Sequence, residues 1–447
     1  MSFWNKKKRI YMDYAATTPI DGRVLRAMNT VYEKNYFNPG AFYADAVKAK
    51  NLVSESRKSV AKLLGTTSDH VVFSRGGTES NNMAILGIVH KFLQYPLGLA
   101  EPRPLPLKGG DNIVRPHVII SEIEHAAVLE TVRDLEQQNI IELSVAPVDA
   151  FGILDMKELK KLLRPETILV SVMYINNEIG TVQPIKEITK LVRWFKKQND
   201  LKTYPLVHTD AIQAVNYLDI NVERLGVDLM SISGSKIYGP KSSGVLYVRN
   251  LDLVSSMFHG GDQEFGLRSG TEDVAQVVGF TKALELVRSS SEQECKRLGE
   301  LQTFFLEKIK QEIPNAILNG ANPLLPGEGG SRREPGEVLR VCNNVNITIP
   351  KISGERLVIE LDAKGISVSS KSACKEDNGE ESHVIATIRR AQPHPNPLLE
   401  GEGAAAADGS VRFTMGSNTT KHDVEKVILE VVKIVNKIKS FEKVLTK

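Results

Sequence analysis

The feature that most constrains this chain is an alternation, over its first two-thirds, between short β-branched apolar runs and longer stretches with helical spacing. Strand candidates are His70–Ser74, His117–Ser121, Ile141–Ala146, Thr167–Met173, Pro205–Thr209, Asp228–Ser233 and Gly244–Val248. Helix candidates between them are Glu79–Phe92, Ala127–Gln138, Asp155–Leu163 and Ile185–Gln198. Because several strands are apolar on both faces and alternate with helices, the pattern predicts an α/β fold with a mostly parallel, seven-stranded sheet covered by helices.

After about Thr271 the pattern changes. Two long helical stretches are followed by short strands near Val345–Ile349 and Val411–Thr414, and then by an amphipathic helix from His422 to about Ile438. This second pattern predicts a smaller α+β domain. We expect the chain to divide into an N-terminal segment of the small domain, a large domain and the remainder of the small domain: residues 1–20, 21–290 and 291–447.

Three segments rich in proline, glycine or both interrupt these patterns. The eight residues from Asn322 to Gly329 recur almost unchanged from Asn396 to Gly403, with seven of eight positions identical. Two copies do not support a solenoid. Folded proteins tolerate long surface loops at little cost, so we interpret the segments as inserted loops. They lie near residues 95–116, 322–336 and 392–410.

Composition narrows the class of protein. Hydrophobic residues make up 41% and charged residues 25% of the 447 residues, as in ordinary globular proteins. The net charge of +3 gives no reason to expect binding to nucleic acid. No apolar run approaches the roughly 18 residues of a membrane span, and the basic start lacks the apolar stretch of a signal peptide. The cysteines Cys295, Cys342 and Cys374 are too scattered for a disulfide framework or a zinc motif. We therefore expect a soluble, cytoplasmic protein without a metal site.

A candidate nucleophile follows one of the predicted strands. Lys236 comes just after the strand that ends at Ser233, where ligands bind in open α/β sheets, although most lysines are simply solvated. Such a lysine can form a Schiff base with an aldehyde cofactor. If the cofactor is pyridoxal phosphate, a buried carboxylate must keep its pyridine nitrogen protonated. Asp210, at the end of the preceding strand, is the candidate, unless it merely caps a helix.

The sequence also contains candidates for binding the cofactor phosphate and the substrate carboxylate. A phosphate is bound by backbone N–H groups at a helix N-terminus. Gly77 and Thr78 form such a turn between a strand and a helix, although most Gly-Gly-Thr turns are only turns. A substrate carboxylate is best held by an arginine that bonds through two nitrogens. Arg412, on a late strand, is the candidate, although most arginines form surface ion pairs.

Taken together, these residues resemble a known family, the cysteine desulfurases of the class V aminotransferase superfamily. The shared motifs occur in the family's order: YMDYAATTP (11–19), NP (38–39), GGTESNN (76–82), SEIEHAAV (121–128), NNEIGTVQPI (176–185), HTDAIQAV (208–215), SGSKIYGPKSSGVLYV (233–248), HGGDQEFGLRSGT (259–271), VSSKSAC (368–374) and VRFTMG (411–416). The resemblance implies a fold-type I, pyridoxal phosphate-dependent homodimer that converts L-cysteine to L-alanine. It also implies that the sulfur passes as a persulfide to an acceptor protein, for iron–sulfur cluster assembly or tRNA thiolation.

The resemblance also implies a role for each matching residue. Lys236 would form the Schiff base, His125 would stack on the ring and move protons, and Cys374 would attack the substrate sulfur. Asp210 would pair with the pyridine nitrogen, and Asn177 and Arg412 would bind the substrate carboxylate. The implied cofactor contacts are Gly77, Thr78, Asn177, Asp210, Gln213, Ser233, Ser235, Lys236 and Thr271. Thr271 would reach the phosphate bound by the neighbouring subunit.

Cys374 separates the desulfurases from other branches of the superfamily. It lies in a polar stretch with Lys371 and Lys375 nearby, and both lysines favour the thiolate. Cys342, in an apolar context, is interpreted as a small buried hydrophobe, and Cys295 as incidental.

The chain departs from the family pattern at two positions near the site. Ser235 replaces the histidine that usually precedes the lysine, and Phe265 replaces a common arginine. Two alternative functions remain open. One is a selenocysteine lyase or another β-eliminating lyase, which the Cys374 segment disfavours. The other is an inactive scaffold with the same fold, which the presence of Lys236, Asp210 and the other site residues disfavours.

Overall fold

The computed structural model describes residues 9–94, 115–323, 339–370, 382–391 and 410–445, with side chains described up to residue 440. The strands in these ranges are β1 (Ile10–Tyr11), β2 (Val71–Ser74), β3 (His117–Ser121), β4 (Glu142–Ala146), β5 (Thr167–Ser171), β6 (Leu206–Asp210), β7 (Leu229–Ser233), β8 (Gly244–Val248), β9 (Ile317–Leu318), β10 (Asn344–Thr348), β11 (Ile366–Ser367) and β12 (Ser410–Thr414). Most of each predicted inserted loop, and Cys374, lie outside the described residues.

The α-helices in the same ranges are α1 (Gly22–Lys34), α2 (Ala44–Leu64), α3 (Gly77–Gln94), α4 (Ala126–Gln137), α5 (Met156–Leu162), α6 (Ile185–Gln198), α7 (Val222–Leu225), α8 (Val274–Glu312), α9 (Gly354–Ala363), α10 (His383–Arg390) and α11 (Lys421–Leu445). Across the described ranges, no helix combines the length and the apolar character needed to cross a membrane.

The large sheet has the strand order β2-β8-β7-β6-β5-β3-β4. The pairings from β4 through β3, β5 and β6 to β7 are parallel, whereas β8 runs antiparallel to both of its neighbours. The predicted α/β class with a mostly parallel, seven-stranded sheet is confirmed.

Both faces of this sheet are covered by apolar packing. On β2, Val71 and Phe73 belong to one buried apolar cluster and Val72 belongs to a second cluster. On β3, Ile119 packs into the first cluster and Val118 into the second. Because successive side chains of a strand point to opposite faces, strands buried on both sides need apolar residues at nearly every position. This requirement explains the continuous apolar runs in the sequence.

The smaller unit is built on short strands. Strands β12, β10 and β9 form an antiparallel sheet in that order, and β1 pairs in parallel with β11. Asp13, just after β1, bridges to Thr414 at the end of β12. The segment just after β1 therefore lies beside the strand that carries Arg412. This arrangement matches the predicted α+β composition of the second part of the chain.

The prediction of two long helical stretches after Thr271 is wrong at one point, because α8 is a single helix of 39 residues. Three consecutive serines lie in its middle and favour a break. However, the hydroxyls of Ser289 and Ser290 donate to the carbonyl of Leu286, which keeps these serines within the helix. The domain boundary that we proposed at residues 290 and 291 lies inside this helix.

The topology brings several chain turns to one edge of the large sheet. The carboxyl ends of β3, β5, β6 and β7 meet at this edge because the strands are parallel. Strand β2 runs in the same direction as β7, since β8 is antiparallel to both. The turn from β2 into α3 therefore lies at the same edge. Ligands in open α/β sheets bind at such an edge.

We expect the substitution Gly244→Ala to destabilise this edge. An added Cβ would lie 2.7 Å from the Ile232 carbonyl oxygen and 2.8 Å from the Gly76 Cα, both backbone atoms that cannot rotate away. Overpacking of this kind should lower the free energy of unfolding by about 1–3 kcal/mol in urea titrations. Gly299→Ala, in α8, is the control. Its Cβ would meet only the Cys342 Cβ at 4.0 Å, so it should stabilise the helix by about 0.5–1 kcal/mol. Equal stability of Gly244→Ala and wild type would contradict the close approach.

Candidate active site

An open cleft with an empty volume of about 980 Å³ lies at the carboxyl edge of the large sheet. The predicted site residues that line it are Gly77, Thr78, His125, Asn177, Asp210, Gln213, Ser233, Ser235, Lys236 and Arg412. Thr271 does not line this cleft and its side chain is exposed. Cys374 lies outside the described residues. Residues spread over more than 300 positions of the sequence therefore share one cavity.

Asp210 is the last residue of β6 and is only 5% exposed. The Asn81 amide donates to its Oδ2 over 2.7 Å, and the Ile212 N–H donates to its Oδ1 over 2.9 Å. Burial raises the pKa of Asp210, and the nearby His125 and Lys236 act in the opposite direction. Asp210 thus caps a turn and not the helix that one interpretation expected, since no described helix begins between β6 and α7. It also presents a buried carboxyl group that a cation in the cleft would stabilise in its ionised form.

Lys236 ends a single 3₁₀ turn that follows β7 directly. Since β6 and β7 are neighbours in the sheet, Lys236 and Asp210 line the same cleft. The Lys236 Nζ donates to the carbonyl oxygen of Ala16, in the segment after β1. The Asn216 amide donates to the Lys236 carbonyl over 2.7 Å, which fixes the backbone of the lysine. The lysine is therefore held from two sides at the edge of the sheet.

The turn between β2 and α3 suits an anion. Gly76 has a φ of +119°, which favours glycine, and α3 begins at Gly77. A Cβ at Gly77 would lie 2.0 Å from the Ile212 Cδ1, so a side chain there would fill the turn. The hydroxyls of Ser233 and Ser235 lie 3.0 Å apart on the neighbouring turn. Helix N-termini expose backbone N–H groups and carry partial positive charge, so this corner of the cleft can bind a phosphate.

Arg412 is only 2% exposed, unlike the surface arginine that residue statistics favour. Its Nη2 donates to the Asp13 Oδ1 over 2.7 Å, and its Nη1 donates to the Asn177 carbonyl over 3.1 Å. Its Nε is buried and has no hydrogen-bond partner among the described residues. A paired and buried guanidinium on β12 has little freedom to move, which suits the recognition of a carboxylate.

His125 begins α4 as its N-cap residue, and its Nδ1 accepts from the Ala127 N–H over 3.0 Å. An Nδ1 that accepts a hydrogen bond carries no proton, so a neutral His125 holds its proton on Nε2. The histidine of the sequence prediction is thus both a helix cap and a residue of the cleft.

Sequence reasoning missed Glu124, which directly precedes His125. Its carboxyl group is 0% exposed, and its Oε1 accepts from the Ser121 hydroxyl and from the Met173 N–H. Its Oε2 is buried without a hydrogen-bond partner in the described part of the chain. Burial, together with a smaller effect of the nearby Asp210, raises the pKa of Glu124 to about 8. Glu124 is therefore mainly a neutral acid at pH 7.

Sequence reasoning also missed two residues that contact the site residues, Asn81 and Asp13. Each lies in a motif that we quoted, but only the fold shows that Asn81 contacts Asp210 and that Asp13 pairs with Arg412. An acidic residue inside the YMDYAATTP motif was the available signal for Asp13. In the ranges that the structure covers, no group of three or more His, Cys, Asp and Glu side chains is placed to hold a metal ion.

We expect Glu124→Gln to gain stability over wild type as the pH rises from about 4.5 to about 8. A carboxylic acid whose pKa is higher in the folded than in the unfolded state contributes its full stabilisation at a pH below the pKa of the unfolded state. This stabilisation is lost as the pH rises to the pKa of the folded state. Glutamine keeps the acceptor oxygen and has no proton to lose. Each pH unit by which the pKa differs between the folded and unfolded states corresponds to about 1.4 kcal/mol. The free energy of unfolding of Glu124→Gln relative to wild type should therefore rise by a few kcal/mol across this window.

Urea unfolding across that pH window measures this difference. Glu122→Gln is the matched control, since Glu122 lies two residues away in a partly exposed ion pair with Arg390 and should show little change across the window. A difference between Glu124→Gln and wild type that does not vary with pH would contradict a neutral, buried Glu124.

Comparisons with known proteins identify the family of this chain. The family model described as aminotransferase class V matches residues 10–427. The cysteine desulfurase IscS of Dictyoglomus turgidum is 37% identical over 434 residues, which covers 97% of this chain and 96% of the relative. The cysteine desulfurase IscS of Methanosarcina thermophila is 36% identical over 435 residues, which covers 97% and 94% of the two chains.

Solved structures share the fold. A NifS-like protein has a TM-score of 0.78 at 28% identity, covering 96% of this chain and 99% of that chain. The apo structure of a cysteine desulfurase from Thermococcus onnurineus NA1 has a TM-score of 0.74 at 20% identity, covering 96% and 95%, and its likeness concerns the fold alone. The expected fold-type I architecture is confirmed. Since the family model and the relatives match almost the whole length, the chain belongs to the class V aminotransferase family, with cysteine desulfurases among its relatives.

Proposed function

We propose that this chain is a cysteine desulfurase that binds pyridoxal phosphate in the cleft and converts L-cysteine to L-alanine, with the sulfur passing to Cys374. One observation carries the proposal. Lys236, the buried Asp210 and the glycine turn at Gly77 come from three different strand ends and line one cleft, together with the buried Arg412. Each group supplies a chemical function that this reaction requires.

The residues present fit the proposed cofactor. When bound, pyridoxal phosphate supplies an aldehyde for the lysine and a ring that withdraws electrons from the substrate carbon. Asp210 would hold a proton on the ring nitrogen, and that cation would compensate the burial that raises the pKa of Asp210. Gly77 and Thr78, at the start of α3, would bind the phosphate with Ser233 and Ser235. Gln213 and Asn177 would bind the phenolic oxygen.

Ser235 provides a weaker contact than the family's usual histidine. Its hydroxyl lies 3.0 Å from that of Ser233, so the two can donate as a pair to one phosphate. A serine can donate only one hydrogen bond and stays uncharged. We therefore expect weaker cofactor retention rather than loss of the reaction.

The cleft also orients the substrate and moves its protons. Arg412, held by Asp13 and the Asn177 carbonyl, would bind the substrate carboxylate. The Lys236 Nζ, which lines the cleft with Asp210, would take the α-proton of a bound substrate. His125 would lie against the ring and move a proton at its Nε2, since its Nδ1 is engaged by the Ala127 N–H.

The chain on either side of the Cys374 segment supports a role for that cysteine. Ser369 exchanges backbone hydrogen bonds with Arg412 on β12. After the segment, the Ser382 hydroxyl donates to the Glu178 carboxylate, next to Asn177. One flank is therefore bonded to Arg412, which lines the cleft, and the other to the residue that follows Asn177 in the chain. The proposed sulfur acceptor beyond Cys374 is a protein of iron–sulfur cluster assembly or tRNA thiolation in the cytoplasm. Transfer of radiolabelled sulfur from loaded enzyme to a purified candidate acceptor would test this step.

We also propose that the active form is a homodimer in which Thr271 contacts the phosphate bound by the partner. Thr271 is exposed and does not line its own cleft. The loop before it is anchored by a bidentate ion pair between the buried Glu264 and Arg57. Tyr36 and Phe42 are 70% and 99% exposed, as expected for a surface that another subunit covers. Sedimentation at micromolar concentration tests this proposal, and a fully active monomer would contradict it.

Lys236→Ala should remove the visible absorbance of bound cofactor and essentially all turnover. The reason is that Lys236 is the lysine lining the cleft beside Asp210. Absorbance spectra of protein loaded with pyridoxal phosphate provide the measurement. Lys241→Ala is the matched control, because Lys241 lies five residues later with its side chain exposed and its loss should leave the spectrum unchanged. An unaltered spectrum for Lys236→Ala would place the cofactor elsewhere.

Cys374→Ser should keep cofactor and cysteine binding and lose nearly all alanine formation, because a serine hydroxyl is a far weaker nucleophile toward sulfur than a thiolate. The expected result is a spectrum that still changes when L-cysteine is added, without release of alanine. Mass spectrometry of wild type after cysteine treatment should find one extra sulfur atom on the peptide that contains Cys374. Cys295→Ser is the control and should retain activity. Full alanine production by Cys374→Ser would favour the β-eliminating lyase.

A further inference from the structure

The fold brings together two cysteines that the sequence separates. The Cys295 Sγ and the Cys342 Sγ lie 2.8 Å apart, closer than two sulfur atoms in ordinary van der Waals contact. Both are thiols and neither lines the active-site cleft. Our interpretation of Cys342 as a buried hydrophobe agrees with its 8% exposure, but the pair was not foreseen. Cys295 is therefore not an isolated, incidental residue.

The backbone around this pair is held in place by other contacts. Gln302, two turns after Cys295 on α8, donates to the carbonyls of Val341 and Asn344 over 2.8 and 2.7 Å. These two residues flank the Cys342 segment. The small residue Gly299 lies between, and the nearest atom to its ideal Cβ is the Cys342 Cβ at 4.0 Å. Helix and segment thus hold the two sulfur atoms in close contact without a covalent link.

The two thiols differ in reactivity. The hydrogen bond with Cys342 lowers the pKa of Cys295, which is partly exposed. The same hydrogen bond and burial raise the pKa of Cys342. Of two neighbouring thiols, the more accessible one with the lower pKa is the one that attacks an external disulfide, and a buried neighbour in contact with it is suited to resolve the product. The pair therefore has the two roles that a dithiol needs.

We propose that Cys295 and Cys342 form a redox-active dithiol that closes to an intramolecular disulfide when it meets a small dialkyl disulfide such as oxidised glutathione. The Cys295 thiolate attacks one sulfur of that molecule, its S–S bond breaks, and one thiolate leaves. Cys342 then loses its proton to solvent and attacks the Cys295 Sγ, which releases the second small thiol. Two protein thiols are oxidised, and one small disulfide is reduced to two thiols.

The link would join elements that support the active site. Cys342 lies in a segment that pairs with the loop after Asn177. The Val341 N–H donates to the Gly180 carbonyl over 2.9 Å, and Thr181 bridges to Arg340. A disulfide would tie this segment to α8, which crosses from the large sheet to the small unit. This proposal concerns thiols outside the cleft and does not depend on the proposed desulfurase activity.

The test uses the full-length holoenzyme carrying Cys374→Ser, which leaves the two cysteines of the pair. After treatment with excess oxidised glutathione, mass spectrometry should find the loss of two hydrogen atoms and a cross-linked peptide pair containing Cys295 and Cys342, without a lasting glutathione adduct. Dithiothreitol should reverse the change. Urea unfolding of the oxidised form should show a higher midpoint than the reduced form, because the cross-link restricts the unfolded chain.

Two variants in the same background separate the roles of the thiols. Cys342→Ser, or Cys342→Ala if the serine variant does not fold, should stop at a stable glutathione adduct on Cys295. Cys295→Ser should leave Cys342 largely unmodified in the folded protein. If the thiols of Cys295 and Cys342 can both still be titrated after treatment with oxidised glutathione, the proposal is overturned. A persistent adduct on Cys295 while Cys342 is present, or an unchanged urea midpoint in the cross-linked form, would also count against it.

Discussion

The parallel pairing of the central strands is the constraint on which the rest of this structure depends. Strands β6 and β7 run side by side in one direction, so Asp210 and the turn that carries Lys236 emerge at the same edge. Strand β2 has the same direction, which brings the glycine turn at Gly77 to that edge with the N-terminus of α3. Connections between parallel strands cross the sheet and leave each strand end open. The chemistry of the cleft follows from this geometry.

The site handles its buried charges in different ways. Arg412 is paired with Asp13, which offsets the cost of burying a guanidinium. Glu124 avoids the cost by holding its proton, since it is fully buried and its Oε2 has no hydrogen-bond partner in the described structure. Asp210 has two hydrogen-bond donors and lies in the open cleft, where a cation can reach it. Of these carboxyl groups, Asp210 is thus the one suited to a protonated ring nitrogen.

The substrate side of the cleft depends on contacts between distant parts of the chain. Asp13 comes from the first strand segment and Arg412 from the last strand, and a backbone bridge between Asp13 and Thr414 brings them together. The Asn177 carbonyl completes the arrangement from the loop after β5. A displacement of the small unit would therefore move the guanidinium relative to Lys236. The thiol pair joins α8, which carries Cys295, to the segment before β10, which carries Cys342.

The sequence by itself determined the local elements, because apolar runs and helical spacing are properties of neighbouring residues. It also identified the lysine, the carboxylate and the glycine turn, since each of these follows a strand and carries a recognisable chemistry. Tertiary structure alone decided which partners those groups meet. Nothing in the pattern pairs Asp13 with Arg412, leaves Glu124 buried and neutral, or sets Cys295 against Cys342, because these contacts join residues far apart in the chain or depend on the packing around them. The unbroken α8 is a further case, since the serines at its centre bond back to the helix once packing holds it.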